Sequence, residues 1–91
     1  MIKSIRHRGL KRLYERGGRS KVNAQQADKI ESILANLDAA SHPSDMDLPG
    51  YRFHALKGEL KGYFSVWVTG NWRVVFRFTD EPEDVTLIYY H

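Results

Sequence analysis

The 91-residue sequence contains no cysteine. That excludes a disulfide framework, a thiolate zinc site and an iron–sulfur cluster. It also lacks an apolar run near the roughly 20 residues that span a bilayer. The basic start, Met1-Ile2-Lys3-Ser4-Ile5-Arg6, is not followed by the apolar stretch of a signal peptide. Internal repeats, low-complexity tracts and a dividing linker are missing, so one domain over residues 1–91 is expected. A chain this short buries only about 60–65% of its unfolded surface. It has no room for a large cofactor, a doubly wound dinucleotide fold or a TIM barrel. These absences point to a soluble protein of a reducing compartment, read here as cytoplasmic.

What is present is ordinary in amount and uneven in placement. The chain is 42% hydrophobic and 27% charged, which argues for a folded domain. Residues 1–25 carry eight Lys/Arg against one Glu, and residues 26–50 one Lys against five acids. Residues 51–78 carry five Lys/Arg against one Glu, and residues 79–91 four acids and no Lys/Arg. Blocks of +7, −4, +4 and −4 thus sum to a net charge of +3. A local positive field attracts phosphate even when net charge is small, so an anionic partner is one reading and a set of solvated faces is the other.

Hydrophobic spacing predicts helices first and strands after. Ile2 to Ile5 reads as a short strand. Leu10, Leu13 and Tyr14 follow helical spacing, with a stop at Gly17-Gly18. Asn23 reads as the N-cap of a second helix with Gln26 completing a capping box. Ala27, Ile30, Ile33, Leu34 and Leu37 form its apolar stripe. Ser41-His42-Pro43-Ser44 ends it, and a loop runs to Gly50. Tyr51 to Leu56, Tyr63 to Thr69, Trp72 to Thr79 and Val85 to Tyr90 read as strands, with Asp80 to Asp84 an acidic loop. A two-residue Gly70-Asn71 turn predicts Trp67 opposite Val74 and Ser65 opposite Phe76, on the face taken as core. Arg73 and Arg77 then share the other face with Val68, Val66 and Phe64. The expected fold class is α+β, two N-terminal helices on a twisted antiparallel sheet.

The histidines at 7, 42, 54 and 91 show no metal-ligand spacing. Gly58 and Gly62 lack the Lys-Ser/Thr tail of a phosphate loop, and no serine sits on an obvious strained turn. The acidic loop reads as solvated rather than as paired catalytic carboxylates. What remains is His54 on a strand, Lys57 three residues on, Arg73 just past the hairpin turn, and Tyr90 and His91 at the end. Such a set suits RNA cleavage without a metal or other cofactor. A base takes the 2′-OH proton, an acid protonates the departing 5′-oxygen, and fixed cations meet the charge that develops on the phosphate. Histidine titrates near neutrality and serves either proton transfer. The bland alternatives are a half-buried strand histidine, a solvated turn lysine and a frayed terminus. Arg73 is harder to dismiss, because a charge pointing in from a strand needs a partner or an open face. Phe53, Tyr63, Trp67, Trp72, Phe76 and Phe78 read mainly as core or sheet packing.

The ordered combination His54-Ala55-Leu56-Lys57-Gly58, Gly62-Tyr63-Phe64-Ser65-Val66-Trp67-Val68, Asn71-Trp72-Arg73-Val74-Val75-Phe76 and Tyr89-Tyr90-His91 resembles the HigB toxins. These are the plasmid maintenance system killer branch of the RelE/ParE superfamily. The resemblance extends over the whole chain, including Met1-Ile2-Lys3-Ser4-Ile5. It implies a RelE-like, microbial ribonuclease-type fold and a ribosome-dependent endonuclease that cuts translated mRNA in the A site. It also implies a HigA-type antitoxin, with the toxin alone a monomer and a heterotetramer formed with the antitoxin. The family's functional histidine matches His54, its lysine Lys57, its arginine Arg73, and its terminal pair Tyr90 and His91. His54 and His91 are then expected to move protons, Lys57 and Arg73 to stabilise the transition state, and Tyr90 to position the nucleotide. Arg6, Arg8, Lys11, Arg12, Arg16 and Arg19, with Arg77, are the candidate contacts to ribosomal RNA phosphates. A ParE-like inhibitor of DNA gyrase and a catalytically silent binding module on the same fold are the competing readings.

Overall fold

The computed structural model describes residues 1–90. His91, one of the expected site residues, lies outside the described residues. Helix α1 (Arg8–Arg16) buries Leu10 and Leu13. His7 caps its start by accepting the Leu10 N–H at Nδ1 (3.1 Å). Gly17, at φ 68°, ends it in the left-handed conformation that glycine takes without steric cost. Helix α2 (Ala27–Ala39) buries the predicted stripe of Ala27, Ile30, Ile33, Leu34 and Leu37. Its cap residue is Gln26, not the predicted Asn23. Asn23 instead holds the preceding turn: its Oδ1 accepts the Gln25 N–H and its carbonyl the Gln26 N–H (2.8 and 2.9 Å). Asparagine side chains offer the backbone this local alternative to helix, so α2 starts one turn later. No described helix is long and apolar enough to cross a membrane.

Past a 3-10 turn at Pro43–Met46, four strands form one antiparallel sheet in the order β1-β2-β3-β4. They are β1 (His54–Ala55), β2 (Tyr63–Thr69), β3 (Trp72–Phe78) and β4 (Pro82–Tyr89). The predicted strand over Tyr51 to Leu56 shrinks to two residues, because Gly50 (φ 82°) and Arg52 (φ 47°) break the extended backbone before it. Pairing continues on either side, from the Trp67 N–H to the Tyr51 carbonyl and from the Leu56 N–H to the Tyr63 carbonyl. The predicted strand over Ile2 to Ile5 is an extended segment alongside β4, bridged in parallel at Ile5 and Val85. Its anchor is Asp38 of α2, whose Oδ1 accepts the Ile2 N–H (2.9 Å) and the Tyr14 hydroxyl (2.6 Å).

The register of β2 against β3 departs from the prediction. Thr69 does pair with Trp72, but a bulge at Val68 then places Trp67 opposite Arg73, Val66 opposite Val74, Ser65 opposite Val75 and Phe64 opposite Phe76. A one-residue slip sends every side chain to the other face. The buried face therefore carries Val66, Val68, Val74 and Phe76 against Ile30, Ile33, Leu34 and Leu37 of α2. The predicted face would have mixed Ser65 and Trp67 with Val74 and Phe76. The bulge wins because it gathers the aliphatic residues of both strands under the helices, where burial of each stabilises by about 1.5–3 kcal/mol. The Trp67 indole braces it, donating from Nε1 to the Gly70 carbonyl (2.8 Å).

The predicted acidic loop divides: Asp80 is exposed in the connection before β4, but the last two acids are not solvated loop residues. Glu83 and Asp84 lie in the strand and meet basic partners: Lys3 with Glu83 at 3.7 Å, Arg6 with Asp84 at 3.4 Å and Arg77 with Asp84 at 3.8 Å. Asp84 has φ 52°, where β4 takes an extra residue against β3. Aspartate visits this region more readily than most residues.

Candidate active site

The sheet has a second face, opposite the helices. Register places two parallel rows of residues on it. The first runs His54, Ser65, Val75, Thr86 across the four strands, and the second runs Trp67, Arg73, Ile88 across β2 to β4. Rows two residues apart along a strand are separated by about 7 Å, and neighbouring strands by about 4.8 Å. His54 is exposed, whereas Ser65 and Val75 are buried and form the floor beside it. Tyr90 follows β4 with the same alternation as Ile88, and its N–H donates to the Asn71 carbonyl (2.7 Å). That hydrogen bond draws Tyr90 beside Arg73, whose guanidinium carbon lies 5.7 Å from its ring centroid.

Arg73 is half-buried, and its Nε is enclosed with no hydrogen-bond partner. Among the described residues it forms no ion pair within 4 Å, unlike Arg77 two steps along the same face. A guanidinium with donor capacity left unused can meet an anion. The Ser65 hydroxyl is likewise buried and unpartnered. Two orphaned polar groups on the floor of one sheet face are unusual, since buried polar atoms normally find partners. Lys57 precedes the 3-10 turn Gly58–Leu60, directly after the Leu56–Tyr63 pairing, and is exposed.

The structure thus brings His54, Arg73 and Tyr90 to one face, with Lys57 exposed three residues beyond His54. The expected basic contacts divide. Arg8, Lys11, Arg12 and Arg16 line one shallow depression along α1. Arg19 is engaged by Asp28 and Glu31, and these carboxylates, Glu31 foremost, hold its guanidinium more firmly protonated. Arg6 and Arg77 share Asp84.

Sequence reasoning placed Ser65 in the core and gave Trp67 only a packing role; both belong to the floor and rim of this face. Nothing in the local pattern around Ser65 separates the two placements, because they differ only by the bulge.

The family model and the curated relatives agree with one another. Residues 3–91 match the family model for HigB-like toxin, described as the RelE-like toxin of type II toxin–antitoxin system HigB. Over 78 residues the chain is 44% identical to Endoribonuclease HigB of Proteus vulgaris, covering 86% of this chain and 85% of that protein. Over 48 residues it is 44% identical to Toxin HigB-1 of Vibrio cholerae serotype O1, covering 52% of this chain and 50% of that one.

Proposed function

Since the chain belongs to the RelE-like HigB toxins of type II toxin–antitoxin systems, we propose that it is an endoribonuclease that cuts mRNA in the ribosomal A site. The observation that carries this reading is Arg73: a guanidinium without an ion pair among the described residues and with a buried, unpartnered Nε, on the same sheet face as His54 and Tyr90. Family membership brings an antitoxin partner with it; a HigA-type protein in a heterotetramer is the assembly we favour.

The chemistry requires few groups. The 2′-oxygen loses its proton to a base and attacks the adjacent phosphorus. The bond from phosphorus to the 5′-oxygen breaks, and that oxygen takes a proton from an acid. His54 and His91 are the proton carriers in this scheme. Arg73 binds the non-bridging oxygens where charge develops, with Lys57 as a second cation. Tyr90, placed against Arg73, orients the nucleotide. The ribosome supplies the position of the mRNA. Arg8, Lys11, Arg12 and Arg16, set along α1 away from carboxylates other than Glu15, give that helix the charge to rest on ribosomal RNA phosphates, with Arg6, Arg19 and Arg77 at the margins.

The test is to express the protein in cells and map mRNA 5′ ends, beside Arg73→Ala and His91→Ala variants. Wild type is expected to produce new ends inside translated frames, and both variants to lose them. Intact mRNA together with failing DNA supercoiling would point to a gyrase inhibitor instead. Equal cleavage by wild type and both variants would overturn the assignment of these two residues.

A further inference from the structure

Trp67, at the edge of the open face, carries two cations on its indole. Lys29 Nζ of α2 lies 4.2 Å from its ring centroid and the Arg52 guanidinium carbon 4.3 Å. Three elements meet there. Trp67 is held by its indole bond to Gly70 and by its N–H bond to the Tyr51 carbonyl. Lys29 is anchored by donating to the Gly50 carbonyl (3.0 Å). Arg52 lies two residues beyond Gly50, on a backbone at φ 47° that L side chains rarely adopt. Among the described residues neither cation has a carboxylate within 4 Å.

The arrangement repels itself. Burial, and then the charge of Arg52, hold the Lys29 ammonium below its ordinary pKa. Two like charges gathered on one ring, with backbone bent to place one of them, favour a third party of opposite sign. The aromatic surface fixes the cations in place before that party arrives, so little ordering is lost on binding.

Position says which anion. Trp67 pairs with Arg73, and Ser65, two residues back along β2, pairs with His54. The cluster therefore lies one row, about 7 Å, from the His54 row and next to Arg73 on the side away from β4. This sets the cluster beside the phosphate that Arg73 would hold, within reach of the same strand of nucleic acid. We propose that Lys29, Arg52 and Trp67 form a subsite for an RNA backbone phosphate flanking the one that is cleaved. It positions the strand over His54 and Arg73 without reading sequence. The proposal rests on the endoribonuclease reading for its substrate class, and its own test is binding.

Binding of a short RNA, 2′-O-methylated throughout so that it cannot be cut, would be measured across a range of salt. The proteins compared are wild type, Arg52→Gln and Lys29→Gln/Arg52→Gln, each checked for folding by thermal melt. The double variant is expected to bind about 10–100-fold more weakly on every sequence, with a salt slope shallower by about one to two. Arg52→Gln, at an exposed side chain, falls between and covers the case in which the double variant melts early. Arg52→Lys, which keeps the charge, retains most of the affinity. In a second arm, a neutral methylphosphonate replaces single phosphates beside the cleavage point. One such position should weaken wild type and leave the double variant unchanged, the signature of a direct contact.

Equal affinity and slope for wild type and variants overturn the subsite whether or not the RNA is cut by the enzyme. Absence of RNA binding by wild type overturns it as well. Binding that depends on Lys29 and Arg52 in a protein that cuts no mRNA keeps the subsite and removes the endonuclease.

Discussion

The guanidinium of Arg73 stands 5.7 Å from the centre of the Tyr90 ring, across the end of β3 and β4, with its Nε enclosed and unpartnered. A group left in that state costs stability, because desolvated donors lose water without a replacement. Arg73→Leu is therefore expected to leave the melting temperature unchanged or raise it, while mRNA cleavage falls by about 10²–10³, the loss typical of one transition-state donor. Arg73→Lys should not restore activity, since an ammonium cannot reproduce the guanidinium fork. Parallel melting curves and cleavage assays check both statements.

Ser65 repeats this logic with a smaller group. Its hydroxyl is buried without a hydrogen bond, so Ser65→Ala removes a desolvated polar atom and opens little space. Stability by denaturant titration should stay within about 1 kcal/mol of wild type, or increase. A loss well beyond that would show that the hydroxyl is satisfied in solution.

Acid should weaken the junction between the N-terminal segment, α1 and α2. The Tyr14 hydroxyl, and then the Ile2 N–H, hold the Asp38 carboxyl below the usual carboxylate range. A depressed folded-state pKa contributes stability above the unfolded value and loses it as pH falls through the folded one. Asp38→Asn should therefore flatten the acid limb of the stability profile. At the other extreme, the bond to Asp38 raises the Tyr14 pKa above its ordinary value, so its contribution fades only as the phenol ionises at high pH. Tyr14→Phe is expected to cost about 1 kcal/mol near neutrality, an amount reduced by the partial exposure of the pair.

Deleting Val68 tests the bulge. The shortened β2 keeps every observed pair, Thr69 with Trp72, Trp67 with Arg73 and Val66 with Val74, now as a regular ladder without the extra residue. What is lost is the buried Val68 side chain and the local twist of the bulge, and the expected result is a protein that still melts cooperatively, at a lower temperature. Val68→Ala, which keeps the register, should fold with a loss of about 1–3 kcal/mol.

The legible part of this fold was the part written in periodicity. Leu10, Leu13 and the Ala27-to-Leu37 stripe gave both helices, and Gly70-Asn71 gave the hairpin. His54, Lys57, Arg73 and Tyr90 were identified as a chemical set because their residue types suit one reaction. The register was not legible. A turn sequence specifies how two strands start to pair and says nothing of a bulge two residues later, which follows only from the packing of Val66, Val68, Val74 and Phe76 under α2. That single residue decides whether Arg73 faces the same way as His54. Cation clustering on Trp67 was hidden for a different reason: Lys29, Arg52 and Trp67 are distant in sequence and meet only after α2 packs beside β2.

The N-terminal segment hydrogen-bonds along β4, from Lys3 to Pro82, Ser4 to Asp84 and Val85, and Arg6 to Val85. Residues 3–6 must wait for residues 82–85 before the two segments pair. During synthesis the helices can form as they emerge, yet the sheet that carries Arg73 and Tyr90 is completed only when β4 arrives. Contacts of such long sequence separation also fold slowly. Order of synthesis thus delays the assembly of the sheet face that carries Arg73 and Tyr90 until β4 has been made.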